Sequence, residues 1–218
     1  MTKPYRAAWV PDDDPCRDWE IAAALAVDWV LEQAASLPSR PVLVTNAFGV
    51  ESSITSLQRL LRYADHATPR SRRGFTPYQQ HAVLAYVPYE DTLALAMQVA
   101  RGGALGVVET VEFPLGGWAR EVDALDLTTR QAAEPFSTEI GEQLDRVIFY
   151  GNNGWTRGFG ADQTLRVLTA LRRTGFDDLA AIVGFVAARG KSGKAMKRLR
   201  TLALKAGFNG PKEPNHLG

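Results

Sequence analysis

Apolar residues in the first 125 positions form short continuous runs, separated by segments in which apolar residues recur at helical spacing. The runs are 41–45, 82–87 and 104–109. Continuous apolar runs of this length are typical of strands that are buried on both faces of a parallel sheet. The alternation predicts an α/β fold, a Rossmann-like three-layer unit with a short parallel sheet, and places its helices at about 16–35, 52–63, 89–101 and 114–125.

The first predicted helix has clear boundary signals. Asp14 followed by Pro15 is typical of a helix start, and the pair Leu37-Pro38 ends the helix. Spacing predicts a core-facing stripe of Ile21, Leu25 and Trp29. Tryptophans on predicted helices are expected in the core, and these are Trp19, Trp29 and Trp118.

The pattern changes near Asp126. Residues 126–136 show no clear periodicity and are interpreted as a connector, after which every periodic segment has helical spacing and ends at a glycine. The chain therefore divides into an α/β domain at 1–126, a helical domain at 137–207 and a flexible tail at 208–218. The predicted helices of the second domain are 137–150, 161–174, 177–189 and 192–206.

The composition is that of a globular protein, with 45% hydrophobic and 22% charged residues. Cys16 is the single cysteine and cannot form an internal disulfide, which favours a reducing compartment. The sequence shows no signal peptide, and no apolar run approaches the roughly 20 residues that span a bilayer. We therefore expect a cytoplasmic protein without a membrane partner. The oligomeric state stays open.

The formal net charge of +1 conceals an asymmetry along the chain. Residues 1–133 carry a net charge of −4 and residues 134–218 a net charge of +5. Between Leu179 and Lys212 there are eight basic residues and no acidic one. A basic surface of this kind favours a polyanionic partner, DNA or RNA. The alternative is a solvated, lysine-rich last helix.

Common catalytic and cofactor motifs are missing from the sequence. It contains no Walker A motif, no G-x-G-x-x-G after the first predicted strand, no G-x-S-x-G elbow and no H-E-x-x-H or Cys/His cluster. We therefore predict no cofactor and no metal site, and whether the protein is an enzyme stays open.

The most distinctive segment is 189–200, where a glycine-containing turn precedes a basic helix. It resembles the helix–GxxG–helix loop of KH domains, which clamps single-stranded nucleic acid. KH domains also need flanking strands, and none is predicted after Ala206, so a helix-turn-helix or helix-hairpin-helix arrangement fits better. The predicted nucleic-acid contacts are Arg189, Lys191, Lys194, Lys197 and Arg198; the alternative is a capped helix with a solvated lysine face.

Polar residues follow the predicted strands at the edge where ligands of open α/β sheets bind. Asn46 comes after the first predicted strand, and Glu109 ends the third. Asn46 is a candidate for binding a small ligand, and Glu109 for ligand binding or as a general base. Glu90 and Asp91 follow the second strand, where helix N-capping is the simpler interpretation.

Two loops add candidate ligand contacts. A long loop at about 65–81 carries three arginines that are suited to gripping a phosphate. A second loop at 151–160 combines four glycines with two aromatic residues. Its tryptophan either stacks on a base or sugar of a ligand or plugs the interface between the helical part and the α/β part. The candidate residues are Arg70, Arg72 and Arg73 in the first loop and Trp155 and Arg157 in the second.

Three functions follow from these features. The first is a nucleic-acid-associated binding protein that contacts phosphates through its basic C-terminal helical region. The second is an enzyme that binds a small molecule or nucleotide at the carboxyl ends of the parallel strands, where the arginine loop favours a phosphorylated ligand. The third is a protein-interaction module. The acid-free basic stretch favours the first.

Overall fold

The structure is a computed structural model that describes residues 3–12, 17–71 and 79–209. Its strands are β1 (Arg6–Val10), β2 (Val42–Val44), β3 (Asp65–Ala67), β4 (Ala82–Tyr86), β5 (Ala104–Val108) and β6 (Leu125–Asp126). Its helices are α1 (Trp19–Ala34), α2 (Thr55–Leu61), α3 (Glu90–Val99), α4 (Gly116–Val122), α5 (Thr138–Tyr150), α6 (Phe159–Arg173), α7 (Leu179–Ala188) and α8 (Gly193–Lys205), with a 3-10 helix at Val50–Ser53.

The six strands form one parallel sheet in the order β3-β2-β4-β5-β1-β6. Every residue of β4 and β5 is buried. Alternate side chains enter two apolar clusters, with Val83 and Leu105 in one and Leu84 and Val108 in the other. Burial on both faces explains the continuous apolar runs. The predicted α/β class with helices after the sheet is confirmed.

Helices α1 and α2 pack on one face of the sheet, and α1 approaches β5 closely. A Cβ atom at Gly106 of β5 would lie only 2.9 Å from Val30 Cγ2. The glycine therefore leaves room for Val30 and Trp29, which pack against β5. The predicted stripe is wrong at Ile21, which is 61% exposed. The buried face of α1 consists of Ala22, Ala23, Ala26, Val27, Trp29 and Val30.

The C-terminal helices pack on the opposite side of the sheet, where α7 contacts α4. Their backbones nearly touch, since a Cβ atom at Gly117 would lie 1.9 Å from the carbonyl oxygen of Ala181. A single apolar cluster joins side chains of the sheet with side chains of all four C-terminal helices. Through this packing, α8 lies next to the edge of the sheet.

Three of the strands were not predicted. β1 contains Arg6 and two alanines, β6 has two residues, and β3 lies at the start of the segment predicted as a loop. None of these strands shows a long apolar run, because β3 and β6 are at the sheet edges and β1 is only partly covered.

Several sequence predictions lie outside the described residues. These include Asp14, Pro15 and Cys16, and residues 210–218 of the predicted tail. Helix α1 begins at Trp19, where the Asp18 carboxylate accepts a hydrogen bond from the Glu20 backbone N–H at 2.8 Å.

Candidate anion-binding site

The carboxyl edge of the sheet opens between β2 and β4. The chain leaves β2 toward α2 on one face and leaves β4 toward α3 on the other face. Ligands of open α/β sheets bind in the crevice that forms where neighbouring connections diverge in this way. Asn46 follows β2 and Tyr89 precedes α3, so both residues lie at this crevice.

The side chain of Asn46 fixes the shape of the crevice. Its Nδ2 donates a hydrogen bond to the Val87 carbonyl oxygen at 2.7 Å. Its Oδ1 accepts from the Tyr89 backbone N–H at 3.1 Å and from the Thr92 hydroxyl at 2.5 Å. Asn46 therefore joins the end of β2 to the turn between β4 and α3, and acts as a positioning residue.

Val87 holds an unusual backbone conformation at this turn. Its φ angle is +43°, in a region that β-branched residues rarely adopt. The Val87 N–H donates to the Val108 carbonyl oxygen at 2.9 Å, and the Val87 carbonyl oxygen accepts from Asn46 Nδ2. Such strain persists only where the surroundings enforce it, and it is concentrated at functional sites.

A cleft of about 410 Å³ extends from the crevice to the start of α8, and we call it the basic cleft. Arg70, from the loop after β3, lines it together with Lys194 and Lys197 of α8. These residues were predicted from the sequence to belong to two different surfaces, and the structure brings them together. Arg72 and Arg73 lie outside the described residues.

Two helices begin at the basic cleft. Gly193 of α8 and Glu90 of α3 both line it, and a Cβ atom at Gly193 would lie 3.4 Å from Glu90 Cβ. The partial positive charges of two helix N-termini therefore add to those of the three basic side chains. This combination favours an anionic ligand, and phosphate is the usual one.

Two carboxylates also line the basic cleft. Glu90 pairs with Arg200, whose Nη1 lies 3.2 Å from Glu90 Oε1. Asp91 is exposed in the first turn of α3. The charge of Glu90 is therefore balanced, and Asp91 offers an acceptor for a hydroxyl or amino group of a ligand.

Arg189 does not reach the basic cleft. Its Nε lies 2.6 Å from Glu121 Oε1, and its Nη2 lies 2.9 Å from Asp145 Oδ1. These two ion pairs link α7 to α4 and α5. Its charge is thereby compensated within the protein.

Lys191 and Arg198 hold the glycine-rich loop. Lys191 Nζ donates to the Gly151 carbonyl at 3.0 Å, and Arg198 Nη1 lies 3.3 Å from the Gly154 carbonyl oxygen. Both residues, with Lys194, line a smaller cleft of about 310 Å³ beside this loop. Lys194 is therefore shared between the two clefts.

Trp155 is an interior residue of the helical region. It is 3% exposed, and its Nε1 donates to the Thr164 hydroxyl at 3.1 Å. A Cβ atom at Gly151 would lie 2.2 Å from the indole ring. These contacts place the indole within the helical region, while Arg157 of the same loop is exposed.

Glu109 lies at the junction of β5 and β1, outside the basic cleft. It is 6% exposed, and it accepts hydrogen bonds from the backbone N–H groups of Leu115 at 2.6 Å and Asp12 at 3.3 Å. The Arg17 guanidinium donates to the Glu109 carbonyl oxygen and lies 3.6 Å from Asp12 Oδ1. Desolvation raises the pKa of the Glu109 carboxyl to about 7.

Thr45, His66 and Glu51 form a chain of polar groups that resembles a nucleophile with its base and acid. His66 Nε2 lies 2.7 Å from Thr45 Oγ1, and His66 Nδ1 lies 3.9 Å from Glu51 Oε1. Burial lowers the pKa of His66. However, Thr45 has no exposed surface and its hydroxyl also contacts the Ala47 carbonyl at 2.8 Å, so the group stabilises the end of β2.

The described ranges 3–12, 17–71 and 79–209 hold no cluster of three or more His, Cys, Asp or Glu side chains arranged to bind a metal. Likewise, none of the helices in these ranges has the length and hydropathy that crossing a bilayer requires.

Asp12 and Arg17 were not predicted from the sequence to lie at the carboxyl edge of the sheet, and Trp19 was predicted to lie in the core. Trp19 is 38% exposed, and the Arg17 guanidinium carbon lies 4.3 Å from its ring centroid. All three residues follow β1, and its recognition as a strand would have placed them at the carboxyl edge of the sheet.

Comparisons of the chain with protein-family models, with curated proteins and with solved structures give no match.

Proposed function

We propose that this protein binds a small phosphorylated ligand in the basic cleft. The observation that carries the proposal is the convergence of Arg70, Lys194 and Lys197 with the starts of α3 and α8 on one concave site. The cleft has the volume of a small-ligand site, at about 410 Å³. Its position at the diverging connections of the sheet supports the same conclusion.

The charged groups of the basic cleft would contribute to binding in different ways. Arg70 offers a planar set of donors that suits two phosphate oxygens, and the lysines act as compact point charges. Backbone N–H groups at a helix start add donors aimed at the anion. Asp91 would repel a bare phosphate but would accept from a hydroxyl or amino group elsewhere on the ligand.

Nucleic-acid binding through the basic C-terminal region is the second candidate. It is favoured by the shared position of Lys194, since the basic cleft continues into the smaller cleft with Lys191 and Arg198. A strand of phosphates would follow this line of cations, and its affinity would fall steeply as salt rises.

One titration series separates the two candidates. Fluorescein-labelled single-stranded and duplex DNA and RNA are titrated by anisotropy at low and moderate salt, and inorganic pyrophosphate is titrated by calorimetry. The variants are Lys194→Ala and, as a matched control, Lys205→Ala in the last turn of the same helix.

If the small-ligand proposal holds, pyrophosphate binds to the wild type. Lys194→Ala then lowers the affinity for pyrophosphate, whereas Lys205→Ala leaves it unchanged. Oligonucleotide binding that is stronger than pyrophosphate binding, with a salt slope that Lys194→Ala reduces by about one, would favour the second candidate. Binding of neither probe at low salt would overturn both.

A further inference from the structure

A second cleft adjoins the basic cleft at the carboxyl edge of the sheet. It has a volume of about 390 Å³, and we call it the aromatic cleft. Three aromatic rings line it, belonging to Trp19, Tyr86 and Tyr89, with aliphatic side chains of Val50 and Ile54 beside them. Its surface is suited to an apolar, planar group.

The rings of the aromatic cleft are held in place. Trp19 meets Tyr86 edge-on, with centroids 6.4 Å apart and planes at 73°. Arg17 covers part of the Trp19 ring, and the Tyr89 hydroxyl donates to the Glu112 carboxylate. Trp19 and Tyr89 nonetheless remain 38% and 44% exposed, so both offer free ring surface to a ligand.

The two clefts share a boundary. Asn46 and Tyr89 line both of them. The strained Val87 lines the aromatic cleft, and Asn46 binds its carbonyl oxygen. A ligand that crosses this boundary would therefore contact the point at which the fold enforces an unfavourable backbone conformation.

We propose that the ligand is a nucleotide-like molecule whose phosphate occupies the basic cleft and whose aromatic base occupies the aromatic cleft, across Asn46 and Tyr89. This inference rests on the proposed function and names its ligand class. A sugar hydroxyl on the basic-cleft side of this boundary would donate to the Asp91 carboxylate.

The test compares four probes that differ in one group at a time. Adenosine 5′-monophosphate, uridine 5′-monophosphate, ribose 5-phosphate and inorganic phosphate are titrated by calorimetry against the full chain. Stacking on aromatic side chains makes a base contribute about tenfold or more in affinity. We expect at least one nucleotide to bind about tenfold more tightly than ribose 5-phosphate.

The variants separate the base from the phosphate. Trp19→Ala should reduce the nucleotide advantage to about twofold and leave the affinity for ribose 5-phosphate unchanged. Trp19→Phe retains a ring and should retain most of the advantage. Ile21→Ala is the matched control, because Ile21 lies in the same turn of α1, is 61% exposed and does not line the aromatic cleft.

The outcomes distinguish the two proposals. If both nucleotides bind no more tightly than ribose 5-phosphate, or if Trp19→Ala leaves their advantage intact, the base-site inference is overturned while phosphate binding stands. If none of the four probes binds, the proposed function fails and the base-site inference fails with it. Circular dichroism of each variant verifies that the fold is retained.

Discussion

Replacing Glu109 by glutamine should change how stability depends on pH. The carboxyl is buried, with hydrogen bonds from the backbone N–H groups of Leu115 and Asp12. Glutamine has nearly the same shape and can keep the shorter bond to Leu115 through its oxygen. Its amide group then faces the Asp12 N–H, and loss of that longer bond costs about 1 kcal/mol at every pH.

The charge contributes a larger, pH-dependent effect. Burial raises the pKa of Glu109 to about 7 from an ordinary value of 4.5. Between these values the folded protein retains a proton that the unfolded chain has lost, so the unfolding free energy falls as pH rises. The stabilisation is complete below about pH 4.5 and is lost as pH rises through about 7. Each unit of difference between the folded and unfolded pKa values corresponds to about 1.4 kcal/mol, so the unfolding free energy falls by about 3 kcal/mol in total.

Urea denaturation of the wild type and of Glu109→Gln between about pH 3 and pH 9 measures this effect. We expect the variant to be less stable by about 1 kcal/mol in acid and more stable by about 2 kcal/mol at the alkaline end, so that the two curves cross. Glu32→Gln, at an exposed position on α1, is the control for loss of a carboxylate. A difference between Glu109→Gln and the wild type that stays constant with pH would refute the reasoning.

Three further predictions on packing and backbone strain are tested by the same denaturation assay. Gly117→Ala should destabilise the protein by about 3 kcal/mol, because the new Cβ would meet the α7 backbone at 1.9 Å. Gly141→Ala is the control, since its Cβ has open space, and it should stabilise the protein by up to about 1 kcal/mol. Equal effects of the two substitutions would contradict the close contact. Val87→Asn should be about 1 kcal/mol more stable than Val87→Thr, since asparagine tolerates positive φ and threonine does not; the reverse order would rule out strain. Trp155→Ala should cost about 3–5 kcal/mol, and a cost below about 1 kcal/mol would contradict its role in the core.

The centre of the sheet was predictable because β2, β4 and β5 are buried on both faces, which leaves continuous apolar runs in the sequence. β1 was missed although it lies between β5 and β6. β1 has five residues, begins with Arg6 and contains two alanines, so its sequence has no strong apolar signature.

The stripe of α1 shows a different limit of sequence patterns. Large apolar side chains at helical spacing favoured Ile21 as a core residue, but Ile21 is 61% exposed. Apolar residues occur nearly all round α1, so their spacing does not select the buried face, which combines alanines with Trp29 and Val30 against Gly106 of β5. Helix spacing alone does not give the distance between a helix and its sheet.

The residues of the basic cleft were predictable one by one. Asn46 and Arg70 were recognised as ligand candidates at the sheet edge, and Lys194 and Lys197 as phosphate contacts on a separate basic helix. Their convergence depends on the packing of α7 against α4, which carries α8 to the start of α3. No local pattern contains that information.

The most direct measurement is the dissociation constant of pyrophosphate for the wild type, Lys194→Ala and Lys205→Ala at two ionic strengths. Lys194 lines the basic cleft, and Lys205 lies on the same helix but outside it. We expect Lys194→Ala to weaken binding about tenfold, as loss of a charge-assisted hydrogen bond of about 1.5 kcal/mol requires, and Lys205→Ala to leave it unchanged. Equal effects of the two substitutions, or no binding by the wild type, would contradict an anion site in this cleft.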